Sequence, residues 1–422
     1  MSEAERRVAS HYNIYPYPTV VQLARPRVSG FARGTLSYLL RRREHNALPK
    51  NARVWVAGCG TQQGVHWGLT WPEASIVATD VSEKQLETAA LLSSQLKVTN
   101  TQFVQQSILD ADYREEFDFV VCTGVLHHTP DPDLGLQKLR QALKPNGALL
   151  LMMYSRVHRE PLQRFRDVVN SIEPPSGDPE KRYEIACDLL GSMLDSEQCS
   201  PPYKSVFEQL WEVREADRGF FADAILHPLD ASYDVNELLA YLARGGLKHS
   251  SWLHPHQWNP STYLGEHAIC EKLKKLSPEA QWNAVYTLAG YTSPLLEVLC
   301  ERADAPESLP YAENELLEMP VICDRGATAF KVEKHAVVAS AEVPAYTKRN
   351  GMLSGKGRGG FGARYKWQLP EEAEPVLLAC DGKTKLGGIV ERFEGELGRE
   401  GLLTMFDTLL PQDIGFIAPV WT

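Results

Sequence analysis

The stretch VWVAGCGTQQG (residues 54–64) carries an unbroken apolar strand straight into three glycines, Gly58, Gly60 and Gly64. Glycine reaches positive φ and lets the backbone approach a ligand with no Cβ in the way. The turn then opens a helix, whose free N–H groups suit an anionic or carboxylate group. A second apolar strand, ASIVATD (74–80), ends at Asp80, twenty residues beyond Gly60. A carboxylate at the C-terminal end of such a strand can accept both hydrogen bonds of a ribose diol.

The glycines alone are met by any tight β–α turn; it is Asp80 after the next strand that points to a cofactor. Two cofactor classes fit, dinucleotides and S-adenosylmethionine. The spacing is GxGxxxG rather than GxGxxG, and no second nucleotide-binding half follows.

Working outward, TQFVQQSI (101–108), FDFVVCTGVLHH (117–128) and GALLLMMYS (147–155) read as further strands. Between them SEKQLETAALLSSQL (82–96) has apolar residues at helical spacing behind a Ser82 cap, with Gln85 at the capping-box position. LGLQKLRQALKPNG (134–147) is a second helix, stopped by Pro145 and an Asn-Gly turn. Strands apolar throughout, each followed by a helix, predict a parallel sheet covered on both faces, a doubly wound α/β domain over residues 51–158. Residues 159–235 read as a helical insertion or cap broken at PPSGDP (174–179) and SPPY (200–203), and strand signals resume near GLKHSSWL (246–253) within a remainder of the same domain at 236–305. A polar, proline-containing boundary then leads into a smaller α+β domain at 306–422.

Residues 1–50 begin with a polar helix followed by HYNIYPYPTV, where Tyr12, Tyr15 and Tyr17 alternate with Pro16 and Pro18. Proline removes donors and biases its predecessor to extended backbone, so this segment is expected to be a strap, packed on the core or closed as a lid over a ligand.

VWVAGCGTQQG, then ATDVSE, then FDFVVCTGVLHHTPDPDLGLQKLRQALKPNGALLLMMYS resembles a class I S-adenosylmethionine-dependent methyltransferase, over residues 50–156. YPYP ahead of the glycine loop, with His227-Pro228 and Gly246-Leu247 later, resembles a bacterial subgroup in which this domain is often joined to tetratricopeptide repeats; no internal repeat is present here. The resemblance implies a Rossmann-like fold and S-adenosylmethionine as cofactor. Gly58, Cys59 and Gly60 would wrap the methionine moiety, with Gly64 in the same loop. Asp80 would hold the ribose, and Val81 would pack on the adenine. Thr123, Gly124 and Val125 would line the other side. The family's third-strand motif usually carries an Asp toward the adenine amine. Here that position reads Ser107-Ile108, with Asp110 the nearest carboxylate in sequence.

Methyl transfer is an in-line displacement at a sulfonium, accelerated largely by positioning and desolvation. An O–H or N–H acceptor still gains from a base near pH 7, which makes His127 and His128, just after the fourth strand, the catalytic candidates; either can equally serve to hold its loop. Tyr154 and Arg156 follow the fifth strand on the same edge. Arg156 could pair a substrate carboxylate or phosphate, and with Tyr12, Tyr15 and Tyr17 these form the substrate-contact set. LHPHQW (253–258) offers His254 and His256 but no third ligand that can be placed, so no metal is expected.

The 422 residues carry 44 Lys/Arg against 54 Asp/Glu, a net charge of −10, which argues against a general nucleic-acid binder. Residues 1–50 alone sum to +6, leaving −16 on the rest. The absence of an ~18-residue apolar run predicts no membrane span. MSEAERRVASHY has no apolar secretory core, and eight scattered Cys without a CxxC pair fit a cytoplasmic protein with reduced thiols. VLLACDGKTKLGGIV…FIAP (376–419) reads helix, Asp-Gly turn, helix, helix, strand, and resembles small winged-helix modules, some of them peptide-binding. Such a module could brace the enzyme, pair two copies into a homodimer, or hold a peptide. Lys348, Arg349, Lys356, Arg358, Arg364 and Lys366 surround a glycine-rich loop that could cradle phosphate or stand solvated. The partner expected first is a small-molecule acceptor, then a peptide or protein; a cofactor-binding regulator without catalysis is a third reading.

Overall fold

Val54 and Val56 face one side of the first central strand and Trp55 and Ala57 the other, and all four are fully buried. A strand buried on both faces must sit inside a sheet that is itself covered on both faces. The computed structural model describes all residues except 1, 19, 30, 199–200, 266, 290–294, 325, 334–335, 345, 350, 357–365, 411–416 and 421–422. Seven strands form its central sheet: β1 (Arg53–Ala57), β2 (Ser75–Asp80), β3 (Thr101–Gln105), β4 (Phe117–Thr123), β5 (Leu143–Tyr154), β6 (Leu247–Trp252) and β7 (Leu295–Arg302). Their order is β3-β2-β1-β4-β5-β7-β6. The chain turns from β1 outward to β2 and later returns to place β4 on β1's other flank. A crevice therefore opens beyond the C-terminal ends of β1 and β4.

The sheet is Rossmann-like, as expected, but mixed rather than wholly parallel. β7 pairs antiparallel with both β5 and β6. β7 (LLEVLCER) escaped the sequence reading because its two central-sheet neighbours lie far away in sequence and no helix follows it in the α/β rhythm.

The helices preceding and covering the sheet are α1 (Glu3–Ile14), α2 (Phe31–Leu39), α3 (Gln63–Thr70), α4 (Glu83–Gln95) and α5 (Pro132–Ala142). Four more build the insertion, α6 (Arg156–Ile172), α7 (Pro179–Asp195), α8 (Pro201–Val213) and α9 (Arg218–Ile225), followed by α10 (Val235–Arg244). Leu136 and Leu139 of α5 and Leu238 and Leu242 of α10 cover one face of the sheet; Leu36 of α2 and Trp67 of α3 cover the other. Helices α6 to α9 have their own core, into which Tyr15 inserts.

Three local expectations change. Helix α5 ends at Ala142 rather than at Pro145, because Leu143–Tyr154 is already strand and a register shift against Phe117/Phe119 absorbs the Pro-Asn-Gly segment. Tyr12 lies within α1, so the extended strap begins only after it. Ser82 caps α4, accepting from Gln85 N at 3.2 Å, but the reciprocal half of the capping box is absent. Ser82 N donates instead to Asp80 Oδ1 (2.9 Å), and Gln85 Nε2 reaches the Tyr17 carbonyl (3.1 Å).

Beyond residue 306, Val20–Pro26 pairs with Gly326–Glu333, which pairs with Ala336–Pro344. Pro320–Cys323 is flanked by Asp381–Lys385 and Ile417–Pro419 and packs with helices Leu386–Leu397 and Arg399–Leu409 over one apolar cluster. Part of the glycine-rich basic loop, residues 357–365, lies outside the described residues. Among the described residues the cysteines form no disulfide, and no helix is long and apolar enough to cross a membrane.

The N-terminal basic residues are largely spent inside the chain. Arg42, nearly inaccessible to solvent, donates to Glu301 at 2.7 Å, and Glu301 also accepts from Ser250. Arg43 pairs Glu315 at 2.8 Å, and Tyr38 stacks on Tyr311. Removing one partner of a buried pair strands the other charge. Arg42→Ala is therefore expected to cost about 3–5 kcal/mol in urea unfolding, and Arg42→Met/Glu301→Leu clearly less than Arg42→Ala; equal losses would show that the lost contact, not the stranded carboxylate, sets the cost.

Candidate active site

The loop after β1 is shaped by one carbonyl and one carboxylate. Gly58 N and Cys59 N both donate to Thr79 O (2.8 Å each), and Gly60 N donates to Asp80 Oδ2 at 2.9 Å. Gly58 and Gly60 sit at φ +73° and +53°. A Cβ on Gly58 would lie 2.4 Å from a Val125 methyl, so the loops after β1 and β4 touch there as closely as two chains can. Gly64 has a different task from its neighbours. It lies in α3, where a Cβ would meet the Ala78 Cβ at 2.8 Å, so it sets the close packing of helix on sheet and does not face a ligand.

Asp80 is buried, with Gly60 N on one oxygen and Ser82 N on the other. Burial pushes its carboxyl upward, and these backbone N–H groups draw it back. Each oxygen keeps a further lone pair, which fits a diol. Thr123 is locked to α3, donating through Oγ1 to Gln63 Oε1 (2.7 Å) and accepting Gln63 Nε2 at its carbonyl (3.0 Å). Gly124 follows at φ +76°. Val81 is half-buried, its carbonyl accepting from Gln105 Nε2, and Ile108 is in the core under β4.

At the position where the family's usual acid is missing, Ser107 Oγ donates to Glu5 Oε1 of α1. The carboxylate nearest Ser107 in space is therefore Glu5, supplied by the N-terminal helix, and not Asp110. Asn13, also on α1, accepts from Ser82 Oγ at 2.8 Å, and Thr61 Oγ1 donates to the Pro18 carbonyl at 3.1 Å. Helix α1 and the strap thus lie across the C-terminal edge of β1, β2 and β3.

On the other side of the crevice, Asp223 of α9 joins three elements. Tyr12 OH of α1 donates to Oδ1 (2.8 Å), Tyr154 OH at the end of β5 donates to Oδ2 (3.1 Å), and His128 Nε2 lies 4.0 Å from Oδ1. Burial and the facing carboxylate keep both phenols protonated. His127 and His128 are buried, in a short 3₁₀ turn after β4. The His127 ring lies 3.9 Å from that of Tyr154, and neither of its nitrogens has a hydrogen-bond partner. Burial, reinforced by His128 and Arg159, holds His127 well below the ordinary imidazole range. Burial also lowers His128, against the pull of Asp223 and Asp230. Its Nδ1 meets the Leu229 carbonyl at 2.6 Å. His11 of α1, lowered to about 3 by burial, lies edge-on to His227.

The predicted substrate set divides. Tyr12, Tyr17 and Tyr154 surround this centre, with the Tyr17 ring 6.1 Å from Phe220. Tyr15 does not: its hydroxyl donates to the Pro179 carbonyl and its ring stacks on Tyr183 in the insertion core. Arg156 is also engaged elsewhere, half-exposed and paired with Glu237 at 2.6 Å. His254 pairs Glu297 at 3.3 Å beside the stacked Trp252 and Trp258, a packing role. The sequence reading missed Asp223, Glu5 and His11, and quoted His227 without a role. Asp223 had a signal, a lone acid in the apolar run FFADAIL; the partners of Glu5 and His11 are more than 100 residues away.

Residues 56–149 match the family model described as a methyltransferase domain. An uncharacterized protein of Synechococcus sp. is 26% identical over 240 residues, 56% of this chain and 57% of its own length. The ubiquinone biosynthesis O-methyltransferase of Histophilus somni is 29% identical over 91 residues, 22% of this chain and 37% of its own. The chain thus matches little more than half the length of the first relative and about a third of the second. Among solved structures, PKMT2 from Rickettsia typhi in complex with AdoHcy superposes with a TM-score of 0.61, at 15% identity, covering 94% of this chain and 77% of that one. The match at residues 56–149 and the sheet together place a methyltransferase domain within a Rossmann-like fold.

Gly64→Ala, which forces a carbon against β2, is expected to lower stability by about 1–3 kcal/mol, read as a lower midpoint in urea unfolding; an unchanged midpoint would place α3 farther from the sheet than described.

Proposed function

We propose that this chain is an S-adenosylmethionine-dependent methyltransferase acting on an oxygen, nitrogen or sulfur atom of a small-molecule acceptor held beneath α1 and the YPYP strap. The observation that supports this reading is the closure at Asp223. One buried carboxylate ties the N-terminal helix, the insertion and the end of β5 through Tyr12 and Tyr154. A centre enclosed in this way fits a compact acceptor better than a polypeptide lying in an open groove. The alternative, a peptide or protein gripped by the C-terminal module and faced by basic residues of 1–50 and 348–366, loses part of its support because Arg42 and Arg43 are already paired with Glu301 and Glu315. A regulator without catalysis rested on the missing acid near the adenine, and Glu5 beside Ser107 supplies one.

When bound, S-adenosylmethionine supplies an electrophilic methyl group. The chain's part is then to hold the cofactor with the Gly58–Gly60 loop and Asp80, to exclude water with α1 and the strap, and to take the acceptor's proton. For the last task His127 is the better placed of the two histidines. Burial disfavours its charged form, both nitrogens are unpartnered, and its ring lies against that of Tyr154. His128 is held by Leu229 and faces Asp223. Methyl transfer from labelled S-adenosylmethionine to panels of phenols, amines and thiols, against a matched panel of peptides, tests the reading. Incorporation into the small molecules is expected; incorporation into the peptides alone would replace it. With a responding O–H or N–H acceptor, His127→Ala is expected to lower kcat by about 10²-fold or more while S-adenosylhomocysteine affinity stays unchanged.

A further inference from the structure

Two buried imidazoles and one buried carboxylate meet under α1. One ring nitrogen each of His128 and His227 and one Asp223 oxygen lie within 4.8 Å of one another, and all three residues are at most 5% exposed. Both Nε2 atoms lack a hydrogen-bond partner, while both Nδ1 atoms are occupied by a single residue, Leu229. His128 Nδ1 lies 2.6 Å from the Leu229 carbonyl, a distance only an N–H donor can make. That leaves a lone pair on His128 Nε2, and it faces the Asp223 carboxylate across 4.0 Å. In the neutral ring, which burial favours, a lone pair opposite an anion is a repulsive arrangement in a buried site. His227 Nδ1 contacts both the carbonyl and the amide of Leu229 (the amide at 3.1 Å), and donation to the carbonyl likewise frees its Nε2.

We propose that His128, His227 and Asp223 bind a divalent first-row transition metal, of the Zn²⁺ type, through the two Nε2 atoms and the carboxylate. Two imidazoles and one carboxylate with an open fourth position are a donor set such metals favour. The surroundings match what a ligand set of this kind needs. Metal-bound histidines usually donate the other ring N–H to a backbone carbonyl, and here the Leu229 carbonyl lies against both Nδ1 atoms. Asp223 is steadied by Tyr12 and Tyr154 hydroxyls, one on each oxygen, which leaves each oxygen a lone pair for a metal. The nearby cation Arg159 is neutralised by Asp230 at 2.6 Å and so does not claim Asp223. With fixed imidazoles and a carboxylate already in place, binding needs the three groups to draw together around the ion. Because Tyr12 belongs to α1, the metal would also fasten the lid, and its open position would take an anionic or hydroxyl oxygen. That last role rests on the methyltransferase reading; the binding itself does not.

The test uses the untagged full chain stripped with chelator and titrated with Co²⁺ and Zn²⁺, followed by Co²⁺ absorbance and by calorimetry. One-to-one binding at micromolar concentration or tighter is expected. His227→Ala and Asp223→Asn should each weaken it at least 30-fold, with S-adenosylhomocysteine binding retained as the sign of a folded chain and His45→Ala as an exposed-histidine control. No binding to wild type, or equal binding to wild type and His227→Ala, would overturn the proposal. Should the variants fail to fold, X-ray absorption of the Zn²⁺-loaded wild type decides. Two imidazoles at about 2.0–2.1 Å support the site, and fewer than two contradict it. Failure of metal binding with S-adenosylhomocysteine bound normally would leave the methyltransferase reading standing.

Discussion

A single carboxylate at the end of a buried strand organises the glycine turn after β1 and the helix cap beside it. Asp80 accepts Gly60 N from the loop after β1 and Ser82 N from the start of α4, so it fixes the glycine turn and the helix cap together. Burying an acid in this place raises its pKa and costs free energy, which the backbone N–H groups partly offset. That cost is sensible where a ribose diol completes the set. The sheet order makes the placement possible, because β2 and β4 flank β1 and the chain connections lead away from it on opposite sides.

A second carboxylate plays the matching part across the crevice. Asp223 belongs to the inserted helices, yet its hydrogen bonds come from α1 and from the end of β5. The insertion is thereby joined to the sheet and to the N-terminal helix by polar contacts in a buried place, where an unpaired partner is costly. Helix α1 also carries Glu5 to Ser107 and Asn13 to Ser82, so one short helix touches both halves of the site. The N-terminal segment is thereby held at three separate points along its length.

Much of this was legible in the sequence, and the reason is locality. Strands β1, β2, β4 and β5 are apolar runs with their own punctuation, and Gly58, Gly60 and Asp80 follow from spacing along 27 residues of chain. The failures are of two kinds. Some are competitions the sequence does not show: Gln85 had an apt partner in Ser82 N but gives its side chain to Tyr17, because Asp80 had already taken that N–H. Gly64 looked like part of the ligand loop, yet its closeness is to Ala78. Others are long-range meetings, since Tyr12 and Asp223 stand 211 positions apart and Ser107 and Glu5 102. β7 belongs here too, as it finds its place only when β5 and β6 are both present to flank it.

The central claim is that the loop after β1 and the carboxylate of Asp80 form one cofactor site. Calorimetric titration of S-adenosylmethionine and S-adenosylhomocysteine into wild type and Asp80→Ala tests it most directly. One-to-one binding that weakens in the variant by about 1–3 kcal/mol, the loss of a charge-assisted contact, is the predicted result. Absence of binding to the wild-type chain, or equal binding by both, would contradict it.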